Sequence, residues 1–356
     1  MGKVRPPASD VRRVPTMRDI AAEAGVAQST VSRVLNNASS PVAIAPRTRE
    51  RVLATAARLG YRPNPLARAL RGAPTMLIGA IVRDITDPFF ALAIEALSTE
   101  ALARGYNVVL GHAHGKADEA LALATVLEAR HCDAIVMLGD MTDQPRLIED
   151  LQAASIPVVA LWQGSRLQGI PAVNVDNAYG IRLAVTHLRE YGHERIAFVG
   201  GRPLGDIEER RAAYAELMAE AGLHVPDGFV RHTLNTPAGG RDALGTLLDL
   251  PEPPTAIVAA TDVLAIGVLN AAFERGVRVP ADLSVVGFDD IPFAAYTVPP
   301  LTTLRMPTAE MIAAAVVTAM DEARQPAEER LPSVHVLRPT LIVRRSTGAA
   351  GRQPPG

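Results

Sequence analysis

The sequence predicts a two-part chain: a small all-helical N-terminal unit, then a larger α/β body of two lobes built on parallel sheets. Three observations predict it. Charge is unevenly placed: residues 1–72 carry 13 Lys and Arg against 4 Asp and Glu, whereas residues 73–356 carry 23 against 34. From residue 76 apolar β-type runs alternate with helical stretches, and the pattern occurs twice. The basic end carries short, capped helical periods joined by a tight glycine turn. The 356 residues are too many for one ordinary domain, and 48% hydrophobic with 21% charged residues is a core-forming composition.

Several classes are set aside on composition. No run of about 18 apolar residues is free of charge or helix breakers, so no membrane span is expected. The opening MGKVRPPASDVRRV has no apolar stretch behind its basic residues, so no secretory signal is expected and the cytoplasm is the expected compartment. A single cysteine, Cys132, forms no internal disulfide and excludes a multi-cysteine zinc site.

Residues 1–15 lack apolar periodicity and read as a disordered leader. Thr16 is placed to cap the first helix, and Asp19 three residues on can reach back to its backbone. Ile20, Ala21 and Ala24 recur at helical spacing until Gly25 stops the helix. A second helix carries Thr30, Val31, Val34 and Leu35 and stops at Asn36-Asn37. The pair forms a helix-turn-helix. A third helix starts at Pro46 and presents Val52, Leu53, Ala56 and Leu59. The helical unit spans 16–62, and a linker follows over 63–75.

The run TMRDIAAEAGVAQSTVSRVLN and the later YRPNPLARAL together resemble the LacI/GalR family of bacterial transcription regulators, and the resemblance continues to about residue 346. It implies that the second helix enters the DNA major groove with Gln28, Ser29 and Arg33 where the family reads bases. The chemistry suits this, since Gln pairs with adenine and Arg with guanine. Thr30 and Ser32 offer short hydroxyls for phosphate contact or packing. It also implies that Asn64, Ala67, Arg68 and Leu70 belong to a hinge helix, too short to be stable alone. That helix folds when two copies pair on operator DNA, with Leu70 as a minor-groove wedge. Three departures bear on the tilt of the reading helix: Ala27 and Ala45 replace polar caps, and the 37–46 connection is longer than usual.

In the body, strands are expected at 77–82, 108–110, 134–138, 157–161, 196–199, 256–260 and 284–288, with helices such as 89–104, 117–129 and 178–190 between them. The halves are 76–175 and 176–303, and 304–345 can cross back between them. The segment SVHVLRPTLIVRRSTG reads as paired strands. The body, 76–345, resembles periplasmic sugar-binding proteins, which implies a small effector in a cleft between lobes. Carried over residue by residue, Asp87, Phe89 and Phe90 form the pocket rim, Trp162 offers a face for stacking, and Asp176, Tyr179, Arg210, Thr261, Asp262 and Asp289 complete the expected effector set. Arg210 and Asp289 make a chemically sensible clamp for hydroxyls. Leu234 stands where some members place a stacking aromatic, which disfavours a nucleobase.

No enzyme constellation emerges. A phosphate-binding loop is absent. His112 and His114 read as a solvated pair, His187 and His193 as residues at a helix and its C-terminus, and Cys132 as inert core. Asp289 and Asp290, adjacent at a strand end, point apart. Neither a metal nor a cofactor is expected. Residues 346–356 read as a disordered tail without leucine heptads, so a homodimer is expected rather than a tetramer. The reading is a DNA-binding regulator in the cytoplasm at the nucleoid, most simply a repressor of carbohydrate-use genes. It binds a pseudo-palindromic double-stranded operator and answers to a sugar-like effector. The alternatives are the same regulator answering to a purine or other metabolite, and a sugar-binding protein without DNA function.

Overall fold

The computed structural model describes residues 15–35, 44–61, 74–141, 145–162, 169–202, 205–326 and 329–350. The chain divides into two compact units, Met1–Thr75 and Met76–Gly356.

The first unit holds α1 (Met17–Ala24), α2 (Gln28–Leu35) and α3 (Pro46–Arg58). Thr16 and Asp19 close a capping box on α1: the Thr16 amide donates to Asp19 Oδ2 at 2.7 Å, and the Thr16 hydroxyl oxygen accepts from the Asp19 amide at 3.4 Å. Gly25 ends the helix at φ 62°, a left-handed conformation that glycine adopts without a Cβ penalty. Ile20, Ala21 and Ala24 pack against Val31 and Val34 of α2 and Val52 and Ala56 of α3. Leu53 is 46% exposed, contrary to expectation. The buried stripe runs through Val52, Thr55 and Ala56, and Leu53 lies one residue, about 100° of helical rotation, off it. Ala45 makes no side-chain cap on α3.

In the second unit the elements run β1 (Leu77–Val82), α4 (Pro88–Ala103), β2 (Asn107–His112), α5 (Ala117–Ala129), β3 (Ala134–Leu138), α6 (Pro145–Ala153), β4 (Val158–Leu161) and β5 (Ala172–Val175). They continue with α7 (Asn177–Glu190), β6 (Ile196–Gly200), α8 (Gly205–Glu220), β7 (Val230–His232), α9 (Pro237–Leu248), β8 (Ala256–Ala259), α10 (Asp262–Glu274) and β9 (Ser284–Asp289). A 3-10 turn (Pro292–Tyr296), β10 (Thr302–Arg305), α11 (Thr308–Glu322), β11 (Val334–Leu337) and β12 (Thr340–Ile342) complete the fold.

Two six-stranded sheets result, ordered β11-β5-β4-β3-β1-β2 and β12-β10-β9-β8-β6-β7. Every pairing is parallel except β10 with β12. The central strands β3, β4, β6, β8 and β9 are buried throughout, as strands covered by helices on both faces must be. The chain passes between lobes three times: from β5 to α7, from β10 to α11 (which packs on β3, β4 and β5), and from β11 to β12.

Two expectations about the C-terminal segment are corrected. β11 and β12 do not pair with each other: β11 lies parallel to β5, with Val334 opposite Ala172, and β12 lies antiparallel to β10. Between them Arg338-Pro339 carries the chain from one sheet to the other. Disorder does not begin at residue 346. Ser346 and Thr347 are buried, Ser346 Oγ accepts from the Thr302 amide and donates to the Val285 carbonyl, and Thr347 Oγ1 pairs with His187 Nε2 at 2.9 Å. Residues 351–356 lie outside the described residues.

The histidines are likewise re-read. His193 joins Thr255, Ser284 and the Gly348 carbonyl, and burial lowers the pKa of both His187 and His193, so each is a neutral core residue rather than a charge at a helix end. His112 and His114 stack at 3.8 Å near Asp84 and Glu119, with His114 exposed and His112 half-buried. Among the described residues no His, Cys, Asp and Glu group is arranged to hold a metal, and no helix is long and apolar enough to cross a membrane.

Candidate functional site

Two sites follow from the fold, one in each unit. In the first unit, α2 buries Val31 and Val34 and turns Gln28 and Ser29 outward, with Ser32 and Arg33 half-buried beside them. The spacing 28, 29, 32, 33 is one helical face. Arg33 Nε donates to the Ser29 carbonyl at 3.4 Å, which lays its guanidinium along that face. Thr30 is half-buried at its margin. The hinge residues Asn64, Ala67, Arg68 and Leu70 lie outside the described residues.

In the second unit, strand ends from both lobes converge on one cleft, as open parallel sheets place their ligand sites. The structure brings together seven of the expected residues there: Asp87, Phe89, Phe90, Trp162, Arg210, Thr261 and Asp289. Asp87 caps α4 by accepting from the Phe89 amide at 3.0 Å, and its other oxygen accepts from Asn235 Nδ2 of the opposite lobe at 3.0 Å. Phe89 meets Trp162 edge to face at 4.8 Å, and Phe90 meets it at 6.2 Å. The Trp162 indole N–H points at Met311 Sδ, and its backbone is held at φ 58°.

Arg210, buried on α8, is the polar centre. Its Nε donates to Asn177 Oδ1 at 2.8 Å and its Nη1 to the Ala260 carbonyl at 2.6 Å. Asp206 and Asp289 flank it at 3.7 and 3.6 Å, and the guanidinium lies 3.6 Å from the centre of the Phe288 ring. Asp289 sits at φ 117°, a conformation costly for a residue with a Cβ. Burial raises the pKa of Asp87, Asp206 and Asp289, and Arg210 opposes the rise at the last two. Thr261 caps α10 and donates to Asn235 Oδ1 at 2.6 Å.

Three expected residues are not in this cleft. Asp176 spends its carboxylate on the Tyr179 amide at the start of α7 and on Arg338 at 3.5 Å, and Tyr179 lies under that same arginine. Asp262 is fully buried, accepting from the Ile291 amide and the Thr303 hydroxyl. Leu234 is 67% exposed and does not line the cleft. The sequence reading missed Arg83, Asp140, Asp206 and Met306, which do line it, and Asn177 and Asn235, which orient Arg210 and Asp87. Arg83 directly follows β1 and Asp140 comes two residues after β3, so strand-end position was an available signal; Asp206 stands one helical turn before Arg210.

The cleft is tight. Its cavity volume is about 40 Å³, against ~300 Å³ or more for a typical small-molecule pocket. A ligand of that size does not fit the cleft in this conformation, in which the Asn235–Asp87 bond ties the two lobes together.

Comparison with known proteins gives these features a context. Residues 16–64 match the model described as bacterial regulatory proteins, lacI family, and residues 185–347 match the periplasmic binding protein-like domain. The catabolite control protein A of Priestia megaterium is 34% identical over 305 residues, covering 85% of this chain and 90% of that protein. The lac repressor dimer bound to operator and the anti-inducer ONPF superposes with a TM-score of 0.85 at 26% identity, covering 95% of this chain and 100% of that one. A transcriptional regulator CelR–cellobiose complex superposes with a TM-score of 0.69 at 30% identity, covering 93% and 99%. These matches, together with the outward face of α2 and the two parallel-sheet lobes, place the chain in the LacI family of bacterial transcription regulators, a family of DNA-binding regulators and not of enzymes.

Proposed function

We propose that the protein is a repressor whose α2 reads half-sites of a pseudo-palindromic operator as one of a pair in a homodimer, and whose interlobe cleft binds a sugar. The observation that carries this reading is the cleft itself. An arginine and several carboxylates supply hydrogen-bond partners for hydroxyls, and Trp162, Phe89 and Phe90 supply apolar faces beside them. The operator in the lac repressor complex and the cellobiose in the CelR complex support the two halves of the reading.

In the DNA-binding half, Gln28, Ser29 and Arg33 contact base edges, Thr30 and Ser32 contact phosphates, and Asn64, Ala67, Arg68 and Leu70 form the hinge that enters the minor groove. In the effector half, Asp87, Trp162, Arg210, Thr261 and Asp289 contact the sugar. The protein acts where the operator DNA is, at the nucleoid. Effector shifts the balance only through unequal affinity for the DNA-bound and free forms.

The test is operator binding by the full-length protein on fragments selected from upstream regions of its own genome, titrated with sugars and nucleobases at fixed salt. One sugar altering binding to a palindromic site is the expected result. A response to a purine alone overturns the sugar reading and favours a nucleobase regulator; no selected site at all overturns the regulator mechanism.

A further inference from the structure

The cleft carries more carboxyl groups than its proposed use as a sugar site requires. Four carboxylates, Asp87, Asp140, Asp206 and Asp289, face it against two guanidinium groups, Arg83 and Arg210. Both guanidinium groups are already engaged by the chain. Arg210 donates to Asn177 and Ala260 and lies between Asp206 and Asp289; Arg83 stands 3.9 Å from Asp87 and over the Phe90 ring.

Of the helix N-termini at the cleft, that of α4 is capped by Asp87 and that of α10 by Thr261, and that of α8 faces the chain's own Asp140. Gly205 begins that helix, and a Cβ built on it would collide with the Asp140 carboxylate. The Asp140 side chain thus stands at the positive end of the helix, where an incoming anion would have to sit. Burial raises the pKa of Asp206 and Asp289, and neighbouring carboxylates add to the rise. Another anion would add to this crowding. Hydroxyl hydrogens or an ammonium would relieve it, because ionised carboxylates only accept.

We propose that the cleft accepts an uncharged or amine-bearing sugar and excludes phosphorylated and carboxylated ones, with Asp206 setting the choice. The inference rests on the cleft being the effector site. Asp206 is singled out by its place. Its Oδ1 accepts from Asn177 at 3.0 Å, and its Oδ2 stands 3.7 Å from Arg210 Nη2, the arm of the guanidinium that would otherwise offer a fork to a phosphate.

Calorimetry on the full-length protein with glucose and galactose, each as the free sugar, the 6-phosphate and the 2-amino-2-deoxy sugar, tests the ligand class. Any scaffold that binds is expected to bind as the free or amino sugar, with the 6-phosphate weaker by about tenfold or more. A 6-phosphate bound as tightly as its parent overturns the proposal. A second arm does not depend on the sugar: thermal melting of wild type and Asp206→Asn in sodium phosphate against sodium chloride at equal ionic strength. Wild type is expected to gain nothing from phosphate and the variant to be protected. Saturable protection of wild type, or no protection of the variant, overturns the proposal. Asp140→Asn, expected to show the same gain, serves should Asp206→Asn fail to fold. If no sugar binds while the phosphate arm behaves as expected, the sugar reading falls and the charge selectivity stands.

Discussion

Asp289 ends β9 and Asp262 opens α10 just beyond the neighbouring β8, and their neighbours decide what each does. Asp289 pairs with Arg210 of its own lobe at the cleft wall. Asp262 turns inward, tying the Ile291 amide and the Thr303 hydroxyl together. Burial pushes the Asp262 pKa up to about 7 against the hydrogen bonds from Thr303 and Ile291. In the unfolded chain it titrates near ~3.9. Its contribution to stability is therefore complete below that value and is lost as pH rises through about 7. Asp262→Asn keeps the shape and removes the charge. Urea unfolding should show the variant gaining on wild type between about pH 5 and about pH 8, by on the order of 2 kcal/mol at the upper end. Parallel curves would mean that Asp262 is not charged at a cost. The same contrast explains which site residues the sequence revealed. Asp289 sits in a recognisable strand-end motif and Arg210 in a recognisable helical one, and their side chains do face the cleft. Asp176 sits in an equally recognisable motif, but its carboxylate serves its own helix and Arg338. A motif fixes where the backbone goes, not which way a carboxylate turns. Asp140 and Asp206 belong to no motif; Asp206 reaches Arg210 through helical spacing, and only the fold brings Asp140 to the same cleft.

At the scale of elements, legibility followed burial and apolar content. The strands read from sequence are apolar runs, and most lie at the centres of the sheets. β5, β7 and β10 were missed because each is only three or four residues long and carries polar groups: Asn174, Arg231-His232 and Thr302-Thr303. Thr302 and Thr303 are nonetheless fully buried, their hydroxyls satisfied by Thr347 and Asp262. The caps of the small unit were legible because capping is local chemistry. Thr16 and Asp19 form the box that the spacing announces, and Ala45 provides no side-chain cap. Ala45 holds φ −54° and ψ 136°, an extended conformation that a capping Asp adopts. Ala45→Asp should stabilise α3 by about 1 kcal/mol. Hydrogen exchange in the full-length protein checks this: the Arg47 and Thr48 amides should exchange more slowly in the variant. Unchanged exchange would mean that the helix start is held by other contacts.

At the scale of the whole molecule, the three crossings between lobes make the cleft a joint as well as a pocket. Asn235 bonds both Thr261 of its own lobe and Asp87 of the other, so any separation of the lobes there breaks a bond beside the cleft. A basic N-terminal unit attached to such a joint suggests two separable defects. Leu70→Ala removes the proposed minor-groove wedge and alters none of the cleft residues; operator affinity should fall by more than about tenfold while effector affinity is unchanged. Arg210→Ala removes the polar centre of the cleft and leaves the reading face of α2 intact. Operator binding should persist, and its response to the effector should disappear. Fluorescence anisotropy on one operator, with and without the sugar, reads both variants. The two variants bear on different claims. Unaltered operator affinity in Leu70→Ala would remove the wedge from the mechanism, and a full effector response in Arg210→Ala would move the ligand out of this cleft. If both variants lost both activities, the units would not be separable in the way that the charge division and the two compact bodies suggest.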